Sequence, residues 1–151
     1  MKPEINKTLQ TLAQELIQRF SPLLDDEYEQ SRLNSWGTLL LLASMDLDAA
    51  SENLIEENNM TKDFLKKYLK NINDKKLSQD IEVLIKQKNL EYNMSSLDKL
   101  NQRFRDLLVR VQTYFEKEKN LEALKDSWKI LRVMHGHRKV SHLLTLLREQ
   151  G

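Results

Sequence analysis

The sequence predicts an all-α protein, a helical bundle of about six to seven helices, and three observations support this. The 151 residues include only three glycines and two prolines, which leaves little material for sheets with tight turns. Leucine outnumbers isoleucine and valine together, and leucine favours helices whereas β-branched residues favour strands. Apolar residues recur at intervals of three and four along most of the chain, which is the helical period.

The chain is long enough for one sizeable core, and no linker separates two parts of it, so we expect a single helical domain over residues 1–151. Two long helices, at about 27–58 and 96–118, are predicted to form the spine of the bundle. The first and sixth helices are expected to pack against this spine.

The first helix is predicted from an apolar stripe that ends before Pro22, because proline disfavours helical geometry in the preceding residue. The carboxylates at 25–27 favour the start of the second helix, where the N–H groups are unpaired. Gly37 lies inside this helix, where it either lets a neighbouring helix approach closely or marks a kink. The stripe of the first helix consists of Ile5, Leu9, Leu12, Leu16 and Phe20.

Polar residues divide the rest of the chain into shorter helices. Asn58-Asn59 is expected to end the second helix, and Thr61 to cap a short third one. A fourth follows over about 77–85, and Asn120 is expected to cap a sixth that ends before Gly136. Apolar residues over 140–147 predict a final short helix.

The fifth helix, which Ser95 is expected to cap, carries a heptad seam for more than two repeats. Such a seam is typical of helices that pair with a partner, so we predict that it forms a dimer interface. The turn at 39–42 in the second helix is apolar nearly all round, so it is buried within the bundle or covered by a partner. The predicted interface residues are Leu97, Leu100, Phe104, Leu107, Val111 and Tyr114.

Charge is unevenly distributed, although the formal net charge is only +1. Residues 23–59 carry nine carboxylates against Arg32 alone, whereas residues 60–76 and 125–151 are each basic. This pattern is typical of solvated helix surfaces, but it leaves open a basic face for nucleic acid or two complementary faces for self-association. The candidate basic patch consists of Lys62, Lys66, Lys67, Lys70, Arg138 and Lys139.

All three histidines, His135, His137 and His142, lie within eight residues, at intervals that do not match the four-residue spacing of helical metal ligands. In the segment 132–137, four residues separate Arg132 from His137, and this spacing resembles the signature of the HEPN family. Those are small all-helical domains, often dimeric, and many are RNases. The resemblance implies a catalytic pair, with His137 as acid or base and Arg132 stabilising charge on the phosphate.

The second helix also carries a carboxylate ridge, at 48, 52, 56 and 57, of the kind that di-iron bundles and nucleotide pyrophosphatases use. The Glu-x-x-His pairs of a di-iron site are absent, and no second acidic pair is evident on a facing helix. The chain has no cysteine, no glycine-rich phosphate loop and no serine nucleophile motif. We therefore predict neither a metal site nor a cofactor.

The register of the segment Asp48–Asn58, together with Leu97–Leu100, Leu107-Leu108 and Trp128, is similar to that of a group of uncharacterised all-helical bacterial proteins. That resemblance implies a helical fold and no particular activity. The charged N-terminus lacks the apolar stretch of a signal peptide, so we predict a cytoplasmic protein without a membrane span. The sequence favours a non-enzymatic helical interaction or oligomerisation module that binds itself or another protein. A HEPN-type RNase or RNA-binding domain using Arg132 and His137 is the alternative.

Overall fold

The computed structural model of the chain describes residues 4–87 and 93–139, apart from the side chain of Asp48. These residues are helical and contain no strand, which confirms the all-α prediction. Within them, no helix is both long and apolar enough to cross a bilayer. The predicted final helix at 140–147 lies outside the described residues. The α-helices are α1 (Ile5–Gln14), α2 (Glu27–Tyr68), α3 (Lys75–Lys86), α4 (Met94–Lys117) and α5 (Leu121–His137).

The chain between α1 and α2 stays helical but changes its hydrogen-bonding period. A π-helical segment, Glu15–Phe20, follows α1, and a 3₁₀ turn, Ser21–Leu23, contains Pro22. The predicted extent of the first helix is thus correct, but it comprises two kinds of helix. The α2 N-terminus is capped by the carboxylate of Asp26, which accepts hydrogen bonds from the backbone N–H groups of Tyr28 and Glu29.

The helix α2 is uninterrupted over 42 residues, so the predicted break at Asn58-Asn59 is wrong. Asn58 is buried, and its side chain donates a hydrogen bond to the carbonyl of Leu97 at 3.3 Å. Thr61, predicted as a cap, lies within the helix, where its hydroxyl donates to the carbonyl of Glu57 at 2.8 Å. These polar side chains face the interior and bond there, so they do not interrupt the helix.

Gly37 marks a close approach and not a helix end. A Cβ atom at this position would lie 2.8 Å from the Cδ1 of Ile17 and 3.1 Å from the carbonyl oxygen of Ala13. Both distances are too short for an ordinary contact, so only glycine lets the segment before α2 pack this tightly. Of the two roles considered for Gly37, the structure therefore supports close approach.

The ends of α4 and α5 differ in part from the prediction. Asn93, and not Ser95, caps α4, since it accepts a hydrogen bond from the N–H of Ser96 at 2.9 Å. Asn120 caps α5 as predicted, accepting from the N–H of Ala123 at 3.1 Å. Gly136 lies inside the last turn of α5, whereas the sequence predicted it just beyond the helix.

A tight turn joins α4 to α5. The N–H of Asn120 donates to the carbonyl of Phe115 at 3.0 Å, and that of Lys119 donates to the carbonyl of Glu116 at 3.2 Å. These two bonds form a Schellman motif, which needs a left-handed residue after the helix. Lys119 takes that conformation, with φ of 54°, at a position where glycine is usual.

By packing, the described residues divide into two compact units, 4–50 and 51–139. The second unit contains the hydrophobic core, built from the end of α2 and from α3, α4 and α5. In the first unit, the only buried hydrophobic side chain among the described residues is that of Ala13. Most apolar residues of the first unit therefore do not form a fully buried core.

Candidate functional site

A buried carboxylate, Glu57 on α2, is the centre of a polar cluster in the second unit. Its side chain is only 2% exposed. Arg138, just after α5, donates from both terminal guanidinium nitrogens to the two carboxylate oxygens of Glu57, each at 2.8 Å. Arg138 also donates to the carbonyl of Met134 at 2.6 Å, which holds its side chain against the last turn of α5.

His137 joins this cluster from the end of α5. Its Nδ1 lies 3.0 Å from an oxygen of Glu57, and its Nε2 lies 3.3 Å from an oxygen of Glu56. Both ring nitrogens are therefore occupied by carboxylates of α2.

Asn101 completes the cluster from α4. Its amide nitrogen donates to Glu57 at 3.0 Å and to the side-chain oxygen of Asn58 at 3.1 Å. Turning the amide over would place its oxygen against two other acceptors, so this orientation is fixed by its neighbours. The oxygen of Asn101 is buried and has no hydrogen-bond partner in the described residues.

These partners determine the charge state of Glu57. Burial on its own raises the pKa of a carboxyl group, because it disfavours the ionised form. The hydrogen bonds from Arg138, His137 and Asn101 more than offset that effect, so the pKa of Glu57 lies below its ordinary value. The cluster is consequently an ion pair that attaches the end of α5 to α2.

The structure does not bring together the predicted catalytic pair. Arg132 is exposed on α5, and it has no ion pair within the described part of the chain. It lies five positions before His137, which places the two side chains about 140° apart around the helix. His137 therefore faces Glu57, whereas Arg132 faces outward.

The histidines among the described residues form no metal site. His135 is exposed, and His142 lies outside the described residues. In residues 4–87 and 93–139, no three histidine, aspartate or glutamate side chains are grouped so as to hold a metal ion.

The predicted basic patch is partly neutralised. Lys67 pairs with Asp126 at 2.8 Å and with Glu122 at 3.3 Å, and Arg138 is turned inward to Glu57. Lys66 lies 3.6 Å from Asp63. Three of the six cations thus have carboxylate partners, while Lys62, Lys70 and Lys139 have no ion pair among the described residues.

Lys67 belongs to a second network, which joins the end of α2 to α5. Hydrogen bonds from Lys129, Lys67 and the phenol of Tyr68 hold the pKa of Asp126 well below its usual range. Burial is the main reason that the pKa of Tyr68 is raised. This network adds to the attachment of α5 to the end of α2.

The predicted interface seam lies in the chain's own core. Leu97, Phe104, Leu107 and Val111 are buried, and Leu100 and Tyr114 pack partly buried against the same core. The physical reason is that α4 is enclosed by the other helices of the second unit. The heptad pattern is thus accounted for by packing within one chain.

A different helix face is apolar and uncovered. We define the α2 stripe as Tyr28, Arg32, Trp36, Leu39 and Leu47, which fall within an arc of about 100° on the helix surface. All five side chains are exposed, Leu39 by 62%. The stripe extends for about 29 Å and points about 120° away from the buried Gly37 and Ser44. The first half of α2 therefore has two apolar faces, of which one is covered by α1 and its π-helical extension.

Arg32 contacts both aromatic rings of this stripe. Its guanidinium lies 5.4 Å from the ring centre of Trp36 and 5.9 Å from that of Tyr28, and it pairs with Glu29 at 2.9 Å. Cation–π contacts of this kind order aromatic side chains at the surface. The stripe thus has a defined shape before any partner binds.

Sequence reasoning missed the Glu57 cluster and the α2 stripe as sites. The signal for the cluster was Asn101, since the fully buried seam of α4 includes a polar residue between Leu97 and Phe104. The signal for the stripe was the second apolar face of α2, which is evident in the sequence at 39–42 and extends along the helix. Comparisons of this chain with protein-family models, with curated proteins and with solved structures found no match.

Proposed function

We propose that this chain is a non-enzymatic helical interaction module that self-associates through its first unit. The observation that carries the proposal is the imbalance of apolar burial in the described residues 4–50. One hydrophobic side chain there is buried, that of Ala13, whereas nine large ones are exposed. The exposed ones are Ile5, Leu12, Phe20, Leu23, Leu24, Tyr28, Trp36, Leu39 and Leu47.

Energetics favour covering such a surface. Complete burial of one large apolar side chain contributes about 1.5–3 kcal/mol, and extended apolar patches on soluble proteins usually mark interaction surfaces. Two helices with apolar outer faces form an incomplete bundle, which helices of a second copy can complete. A second copy is therefore the partner we propose.

The polar cluster supports a non-enzymatic role. The carboxylate of Glu57 accepts bonds from Arg138, His137 and Asn101, so its oxygens are already engaged. A general acid or base must reach a substrate, and His137 is directed at Glu56 and Glu57 instead. The RNase alternative would also need Arg132 to act beside His137, and the two lie on different faces of α5.

The oligomeric state tests the proposal. We expect the wild type to dimerise in sedimentation or light-scattering measurements over about a hundredfold range of concentration. Leu39→Glu places a charge in the α2 stripe and is expected to give a monomer. Val109→Glu is the matched control, because Val109 is 58% exposed but lies on α4 in the second unit, so this variant should dimerise like the wild type.

Two outcomes would overturn the proposal. One is a wild-type chain that stays monomeric at the highest concentration. The other is equal behaviour of Leu39→Glu and Val109→Glu, which would mean that the α2 stripe has no special role. Circular dichroism of both variants checks that their helices are intact.

A further inference from the structure

The outer surface of α5 carries a second uncovered stripe, which no part of the argument so far explains. We define the α5 stripe as Leu121, Lys125, Trp128, Arg132 and His135, which follow at steps of four, three, four and three. All five are exposed, Leu121 by 64% and Trp128 by 43%. Such spacing is the heptad pattern of a helix that pairs with another helix.

The α5 stripe is basic as well as apolar. Neither Lys125 nor Arg132 has an ion pair within the described part of the chain, whereas Lys129 on the neighbouring flank is paired with Asp126 at 2.8 Å. The two unpaired cations are seven residues apart, so they lie on either side of Trp128. A complementary partner would offer apolar side chains flanked by carboxylates.

The α2 stripe has that chemistry. Its centre is formed by Trp36 and Leu39. An exposed carboxylate lies beside it at Asp46, and the half-buried Glu29 pairs with Arg32. The two units differ in charge overall, since residues 4–50 contain eight carboxylates and three cations, and residues 51–139 contain fourteen and nineteen. A like-with-like contact between two α2 stripes would bring acidic surfaces together, which is unfavourable.

We infer that the α5 stripe of one copy is the docking surface for the α2 stripe of a second copy. This inference rests on the proposed function and names the surface that the first unit binds. The lengths agree, since the α5 stripe extends for about 21 Å and the α2 stripe for about 29 Å. Such a contact joins the first unit of one copy to the second unit of another.

Single-stranded RNA is the other class of ligand for a helix face with cations around a tryptophan. The observations favour a protein partner. Leu121 and Leu131 border Trp128 and are exposed, so apolar side chains form a large share of the face. A matching acidic and apolar stripe also exists on the same chain, as described above.

The test uses mutual complementation of two full-length variants. Leu39→Glu disables the α2 stripe and keeps the α5 stripe, and Trp128→Glu does the reverse. We expect each variant alone to be monomeric, and an equimolar mixture to form a heterodimer through the one intact contact, detected by sedimentation. Leu121→Glu provides a second disabled α5 stripe at a more exposed position, in case Trp128→Glu alters the fold.

The outcomes separate this inference from the proposed function. If the wild type and both α5 variants dimerise alike while Leu39→Glu is monomeric, the proposed function stands and the α5 docking surface is overturned. If the wild type is monomeric, the proposed function itself fails. If Trp128→Glu loses binding to a fluorescent single-stranded RNA yet still dimerises, the α5 stripe binds nucleic acid and the inference is likewise overturned.

Discussion

The guanidinium of Arg138 and the carboxylate of Glu57 form a two-bond ion pair, although 81 residues separate them in sequence. The carboxylate is buried, whereas the arginine side chain is 43% exposed. The pair therefore closes the end of α5 onto the middle of α2, with the charge of Arg138 partly in water. The role of this pair in stability can be measured directly.

Replacing Arg138 by alanine is expected to lower the free energy of unfolding by about 2 kcal/mol, because Glu57 then keeps a buried charge with fewer donors. Arg105→Ala, on α4, is the matched control. Arg105 is exposed without an ion pair among the described residues, so its loss should change stability by less than about 0.5 kcal/mol. Urea unfolding measures both, and equal effects would argue against a structural role of the ion pair.

The lowered pKa of Glu57 predicts a pH dependence of stability. In the folded state the carboxyl group of Glu57 holds its proton less tightly than in the unfolded chain, where the pKa of a glutamate is about 4.3. The stabilisation is thus complete above that value and is lost as the pH falls through the lower, folded-state pKa. Between about pH 6 and pH 3, Glu57→Gln should therefore lose less stability than the wild type.

Urea titrations at several pH values provide that measurement. Glu116→Gln, an exposed change on α4, serves as the control and should follow the wild type. A Glu57→Gln variant that loses as much stability on acidification as the wild type would show that the carboxylate is not linked to folding.

Replacing the two helical glycines by alanine is expected to have opposite effects on stability. Alanine is favoured over glycine inside a helix by about 1 kcal/mol, so Gly136→Ala, with nothing within 4 Å of the new Cβ, should stabilise the protein. Gly37→Ala should destabilise it by about 1–3 kcal/mol, because the Cβ would collide with Ile17 and crowd the carbonyl oxygen of Ala13. Thermal unfolding compares the two, and a more stable Gly37→Ala variant would mean that this approach is looser than the structure has it.

Salt should weaken self-association. The proposed contact brings the acidic first unit against the basic α5 stripe, and ions screen such attraction at separations of about 10 Å or more. We expect the dimer dissociation constant to rise about three- to tenfold between low and high salt, with the apolar contribution remaining. Sedimentation at several salt concentrations is the measurement. A constant that falls as salt increases would indicate contact between like charges.

The periodic apolar residues were sufficient to predict the fold class and the approximate positions of α4 and α5. They failed at Asn58 and Thr61, because a polar residue that bonds within a core looks in sequence like a helix break. Nothing local in the sequence distinguishes the two cases, since the partner of Asn58 is the carbonyl of Leu97, 39 residues away.

The candidate site was predictable only in part. His137 was singled out, but its partner Glu57 lies 80 residues earlier, and the neighbour expected from the sequence motif, Arg132, faces elsewhere. Four residues of the predicted seam on α4 are buried. The apolar pattern alone does not show whether the helices that cover these residues belong to the same chain or to a second one. That distinction depends on packing among helices far apart in sequence.

One residue of the turn between α4 and α5 lowers the stability of the protein in a way that a single substitution can reverse. Lys119 occupies a left-handed conformation that costs a residue with a side chain about 1 kcal/mol and costs glycine almost nothing. One amino-acid change, Lys119→Gly, should therefore raise the melting temperature without altering either helix. Proteins are maintained only slightly above the stability they need, and the lysine at this turn is tolerated because the surrounding helices already hold the chain in place.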